Sequence, residues 1–153
     1  IGVVWETPDA HLSYFSRAQG CADGAAAYLM AQSVITQPSG SAVYFAANFD
    51  PDEAHISGPV TRYFEGVNQA FGAASAGERK YQVGVYSSSR CCAAMMARGL
   101  ATVSWVVDAS ADYAEYSLKQ LDGAVLPVDD GQHISVGLAC NSPDRSAGLF
   151  RVL

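Results

Sequence analysis

Ser41-Ala42-Val43-Tyr44-Phe45-Ala46-Ala47-Asn48-Phe49-Asp50 is a near-continuous apolar run that stops at polar groups and then at Pro51-Asp52-Glu53. A run without polar alternation reads as a strand buried on both faces, the habit of parallel sheets covered by helices. In such sheets the chemistry sits at the carboxyl edge of the strands. Asn48 and Asp50 fall at that edge, two residues apart and so on one side of an extended chain. An active site is expected there.

The segments on either side repeat the pattern. Ile1 to Glu6 reads as a strand ending in a carboxylate, stopped by Thr7-Pro8-Asp9. Ala10 to Cys21 alternates polar and aromatic residues and is expected to loop over the strand ends. Asp23 is a candidate cap for a helix from about Gly24 to Val34, broken by Gln37-Pro38-Ser39-Gly40. Asp50-Pro51-Asp52-Glu53 spells a helix start with Asp50 as N-cap and Pro at the first helical position, and Ser57-Gly58-Pro59 spells a second start. Val60, Tyr63, Phe64, Val67, Ala70 and Phe71 then recur on one helical face.

Further on, Tyr81 to Tyr86 reads as a strand running into Ser87-Ser88-Ser89, and Arg90 to Arg98 as a short helix closed by Gly99. Leu100 to Val107 reads as a strand carrying Trp105, with Asp108 at its end. Ser117 to Leu121 and His133 to Cys140 are two more strands. Strand and helix alternate with short links, which predicts an α/β domain with about six parallel strands. A closed barrel of this kind has eight strands in roughly 250 residues.

At 153 residues, half apolar and 16% charged, the chain suits one globular domain. Its net charge is −6, and nine Lys and Arg are scattered without a basic cluster, which excludes a nucleic-acid or anionic-membrane surface as a partner. No apolar run approaches the roughly 20 residues that span a bilayer. No phosphate-binding glycine motif is present, so no nucleotide cofactor is expected. Cys21, Cys91, Cys92 and Cys140 make no C-x-x-C pair and have no His at zinc-finger spacing, so no metal is expected either. Adjacent Cys91 and Cys92 do not readily bridge each other. Pairing of one of them with Cys21 or Cys140, and four buried thiols, both stay open.

Several stretches together, in order, resemble one family: Val4-Trp5-Glu6, Ala42 to Asp50, Tyr63-Phe64-Glu65-Gly66-Val67, Val83 to Ser88, then Trp105 and Leu118-Lys119-Gln120. The family is the bacterial glycoside hydrolase-like domain of unknown function, a TIM-barrel relative of the family 25 muramidases. The resemblance implies a (β/α) barrel of TIM type lacking its first two strand-helix units. The missing wall would come from the rest of a longer chain or from another subunit, since an open barrel leaves unpaired edges. It also implies a secreted or cell-wall-associated protein whose partner is glycan, with peptidoglycan foremost.

Glycoside hydrolysis commonly uses two carboxyl groups across the scissile bond. By this resemblance Asp50 is the candidate general acid, its pKa raised by a barrel mouth with Phe49, Tyr44 or Trp105 nearby. Glu6 is the second carboxylate and Asp108 the reserve. Asn48, Tyr86, Trp105, Asp108 and Gln120 form the candidate substrate-binding set. The family pattern usually has Asp where this chain has Asn48, and often an Asp in the last strand, where Gly137 stands here. Both departures favour the alternative, a non-catalytic glycan-binding or structural module that has lost the acid pair. Asp50 also has a plain structural reading as a helix cap, and Tyr86 and Trp105 as core aromatics. Ser87 to Ser89 lack the frame of a hydrolase elbow. His11, His55 and His133 share no ligand spacing and read as surface histidines.

Overall fold

The computed structural model describes residues 1–7, 11–47, 49–76, 80–107, 113–127 and 133–151, and the side chains of all of these except 122–127 and 133–138. Six strands form a single sheet in sequential order: β1 (Val3–Trp5), β2 (Ala42–Ala47), β3 (Gln82–Ser87), β4 (Val103–Val106), β5 (Leu118–Pro127) and β6 (His133–Asn141). The first five run parallel and β6 returns antiparallel on β5. Sequential order with all helices on one face curls a sheet toward a barrel, because right-handed crossovers then always advance in one direction. The result is a half-barrel, convex on the helix side and concave on the other.

Strand β2 is the centre of it. All six of its residues are buried, and it pairs with β1 through Val43, Tyr44 and Phe45 and with β3 along its whole length. Alternation sends Val43, Phe45 and Ala47 to the helices, where they join Val83, Val85 and Val106 in the main core. Ala42 and Tyr44 point to the concave side, in a second cluster with Val103, Leu118 and Ala147.

The convex layer is built by α1 (Arg17–Leu29), α3 (Thr61–Ala74) and α4 (Ser89–Ala97), with a short α2 (Glu53–His55) before α3. The six apolar positions from Val60 to Phe71 expected on one face are all buried. The second helix start expected at Ser57-Gly58-Pro59 does not occur. Instead α2 passes through a wide π-type turn (Ile56–Val60) straight into α3, and Pro59 sits inside it. Proline has no N–H and its ring crowds the preceding turn. The wider turn relieves this, and Thr61 Oγ1 donates to the Ile56 carbonyl at 2.7 Å.

The first helix also differs from expectation. It begins at Arg17, within the stretch read as a loop, because Ser16 caps it by accepting from the Gln19 amide at 3.1 Å. Asp23 is therefore no cap. It lies inside α1, buried, where it accepts from Tyr14 and Tyr63 at 2.6 Å each and from Gln19 at 2.8 Å. Helices α1 and α3 approach so closely that glycine is required at the seam. A Cβ on Gly20 would stand 2.0 Å from the Tyr63 carbonyl, and one on Gly66 would stand 2.2 Å from that of Arg17.

The segment after β6 returns beneath the strands. Tyr44 donates to the Ala147 carbonyl at 2.6 Å, Ala42 N–H donates to Gly148 at 2.9 Å, and Phe150 N–H donates to Ile1 at 3.2 Å. These bonds lay the tail across the amino-terminal ends of β1 and β2, so the concave face is floored at that end. The carboxyl end is the mouth.

Candidate functional site

The concave face near the mouth carries aromatic and amide side chains because alternation places them there. Tyr86 on β3 is in register with Trp105 on β4, and Trp105 with Leu118 on β5. The Tyr86 and Trp105 rings meet edge to face at 5.3 Å, and Trp105 meets Tyr44 in the same way at 5.7 Å. Gly84 makes room for this arrangement: a Cβ there would sit 2.6 Å from the Tyr44 ring. Two residues beyond Leu118, Gln120 faces the same side, and the Tyr86 hydroxyl donates to its Oε1 at 2.9 Å. Both ring faces and the amide are half-buried. The Trp105 indole N–H is buried without a hydrogen-bond acceptor among the described residues.

Glu6 follows β1 and is exposed. Burial first, and then the negative charge of Glu6, raises the Tyr86 pKa, so Glu6 lies within electrostatic reach of that hydroxyl and Tyr86 stays protonated at neutral pH. Of the residues expected at the site, the fold thus gathers Tyr86, Trp105 and Gln120 in direct contact, with Glu6 beside them.

Asp50 is placed otherwise. The expected cap role belongs to Asp52, whose side chain accepts from the His55 amide at 2.8 Å and lies 3.2 Å from its imidazole. Asp50 stands two residues earlier, exposed, in the left-handed region at φ +52°. That conformation is uncommon outside glycine, and Asp tolerates it better than most residues. No hydrogen bond ties its carboxylate to a described residue. The neighbouring Phe49 turns away from the mouth and packs against Phe15 at 4.9 Å. Asn48 and Asp108 lie outside the described residues. Gly137 falls in β6.

The four cysteines are free thiols, Cys91 and Cys92 fully buried. Burial pushes the Cys91 thiol up to about 11 and raises Cys92 as well. Among the described residues no group of three His, Cys, Asp or Glu side chains could hold a metal ion, and no helix is long and apolar enough to cross a membrane.

A curled, mostly parallel sheet with aromatic and amide side chains at the mouth of its concave face is the frame of a glycoside hydrolase-like domain. The chain belongs to that class: it is a member of the Rv2525c-like, glycoside hydrolase-like domain family, which it matches over residues 1–127. Among curated proteins it is similar to the uncharacterized protein YbfG of Bacillus subtilis (strain 168), 30% identical over 104 residues. That match covers 67% of this chain and 14% of the relative. It is also similar to the uncharacterized protein FadG of the same organism, 25% identical over 111 residues, 72% of this chain and 19% of the relative. The matched region is thus less than a fifth of either relative's length. No solved structure matches the chain.

Two features, one at the site and one in the helix layer, lie beyond the sequence expectations. The Tyr86–Gln120 bond joins two strands that no local pattern connects. The α1–α3 seam was written in Gly20-Cys21-Ala22-Asp23-Gly24 and in Ser16-Arg17-Ala18-Gln19, a small-residue spacing and a capping box that the surrounding polar residues obscured.

Proposed function

We propose that this domain acts on or binds bacterial cell-wall glycan, with the sugar chain seated at the carboxyl edge of the concave face. The observation that carries this reading is the Tyr86–Trp105–Gln120 group with Glu6 beside it. Half-exposed aromatic rings offer the apolar faces of sugar rings a stacking surface, and the amide and carboxylate offer hydrogen bonds to hydroxyls. Peptidoglycan is the substrate class, and the natural setting is outside the membrane, secreted or held at the wall.

Hydrolysis, in this reading, is of muramidase type, with Asp50 as general acid and Glu6 as the assisting carboxylate. The exposed, left-handed placement of Asp50 favours the second reading, a glycan-binding module without turnover. Release of reducing ends from peptidoglycan separates the two. Activity lost in Asp50→Ala with the fold retained supports hydrolysis; unchanged activity removes Asp50 from the mechanism. Binding without release in the wild type, converted to release by Asn48→Asp, supports a module that has lost its acid pair.

We also propose that the half-barrel is part of a TIM-type barrel whose remaining wall comes from further polypeptide or another subunit. The free side of β1 and the exposed Leu29, Met30 and Val34 on the end of the first helical segment are the surfaces such a wall would cover. Protection of the Val3–Trp5 region from hydrogen exchange in the natural polypeptide, compared with the 153-residue domain, tests this. Equal exchange in both would remove it.

A further inference from the structure

The Tyr86–Gln120 bond decides which half of the Gln120 amide faces a ligand. A glutamine side chain carries one acceptor oxygen and one donor nitrogen. Here the oxygen is occupied by the Tyr86 hydroxyl at 2.9 Å, and the nitrogen donates to no described residue. The Tyr86 hydroxyl can keep this arrangement because burial and the Glu6 charge hold it protonated. Its own proton is spent on Gln120. Among the described residues of this face the Gln120 amide nitrogen is therefore an unspent neutral donor.

Such a face selects for an acceptor. A carboxylate would meet the exposed Glu6 beside it and a chain of net charge −6. A hydroxyl both donates and accepts, so either half of an amide serves it. A neutral carbonyl oxygen accepts only, has two lone pairs, and brings no charge.

We infer that Gln120, oriented by Tyr86, is a specificity-determining residue that donates to a neutral carbonyl on the bound sugar, that of an acetamido substituent. This rests on the glycan reading above and adds to it the substituent the site distinguishes. Gln120 is the group that touches ligand; Tyr86 is a positioning residue that acts through it.

The test uses two β-1,4-linked tetrasaccharides of the same backbone, tetra-N-acetylchitotetraose and cellotetraose, which differ at the 2-position in having acetamido or hydroxyl. Binding to the wild-type domain is measured by calorimetry, with thermal melts of each variant as the check of folding. The expected result is a preference of about tenfold or more for the acetamido sugar, the value of one hydrogen bond that the other ligand cannot replace. Gln120→Glu keeps an acceptor for Tyr86 but loses the donor, so the preference disappears, with binding of the acetamido sugar falling more than that of cellotetraose. Tyr86→Phe frees the amide to rotate and weakens the preference without abolishing it; this variant decides the matter if Gln120→Glu fails to fold. Equal binding of the two sugars by wild type, or an undiminished preference in Gln120→Glu, overturns the inference and leaves the glycan reading standing. Binding of neither sugar, nor of peptidoglycan, overturns both.

Discussion

The seam between α1 and α3 gives two glycines of one helix opposite fates under the same substitution. In Gly66→Ala the new Cβ meets the Arg17 carbonyl at 2.2 Å, the Cys21 amide at 2.8 Å and Gly20 C at 3.0 Å, all backbone. Ordinary contact begins near 3.4 Å, so the helices must part by more than 1 Å. Overpacking of this kind costs about 1–3 kcal/mol. The same displacement stretches the 2.6 Å bond between Tyr63 and buried Asp23 beyond hydrogen-bonding range. Losing a bond to a charged acceptor adds about 1.5–3 kcal/mol. The higher helix propensity of alanine returns about 1 kcal/mol. The net loss is about 1.5–5 kcal/mol, which for a domain of this size lowers Tm by about 3–20 °C. Gly72 lies on the same helix, half-buried, with nothing within 4 Å of an added Cβ. Gly72→Ala should therefore stabilise by about 0.5–1 kcal/mol through the unfolded state and helix propensity. Urea unfolding and thermal melts of the two variants measure both signs. A Gly66→Ala domain within 0.5 kcal/mol of wild type, or two shifts of the same sign, would refute the close approach on which this reasoning depends.

Other outcomes follow from the same packing. Tyr63→Phe removes one donor from Asp23 and should cost about 1.5–3 kcal/mol in urea unfolding, more than Tyr14→Phe, whose hydroxyl is less buried. Gly84→Ala drives a methyl into the Tyr44 ring and should lower Tm by several degrees, with the tryptophan fluorescence of Trp105 shifting as its neighbour moves. The Cys91 thiol has a folded pKa of about 11 against an ordinary 9.0, so the folded state holds its proton longer. Its contribution is therefore intact below pH 9 and lost as pH rises through 11, a fall of about 2–3 kcal/mol per such thiol. Unfolding free energies measured from pH 8 to 11 should drop in wild type and drop less in Cys91→Ala. In native protein below pH 9, Cys91 and Cys92 should resist a thiol reagent that labels them once urea is added.

The parts of the fold legible in the sequence are those where one physical signal dominates. Ala42 to Ala47 has no polar residue to place in water, so only a two-faced burial suits it. The apolar period of Val60 to Phe71 likewise admits one helical face. Where two signals compete, local pattern and fold diverge. Arg17 to Gly24 is polar and glycine-rich and looks like a loop, yet those glycines serve a close helix contact and its buried Asp23 is held by tyrosines from 9 and 40 residues away. Asp50 and Asp52 offer equally good cap grammar, and the choice fell to Asp52 because Asp50 is turned into a left-handed bend. The last two strands begin near their expected places, but β5 runs on to Pro127 rather than ending at Leu121, and β6 returns antiparallel where a parallel strand is expected, through pairing along β5 that no local pattern encodes.

The same distinction separates the position of the candidate site from its chemistry. Strand alternation alone puts Tyr86, Trp105 and Gln120 on the side away from the helices, so a reader of the sequence can find the face. What the face does depends on hydrogen-bond direction. Tyr86 and Gln120 are 34 residues apart, and only their meeting occupies the amide oxygen and leaves the nitrogen as the unspent half. With a phenylalanine at position 86 the amide would be free to present either end, and the face would accept hydroxyls and carbonyls alike. A single hydroxyl on β3 thus sets what a side chain on β5 can recognise. For a domain whose candidate acid Asp50 stands exposed and apart from the aromatic group, donor geometry on the concave face is the firmer guide to its ligand than the arrangement of its carboxylates.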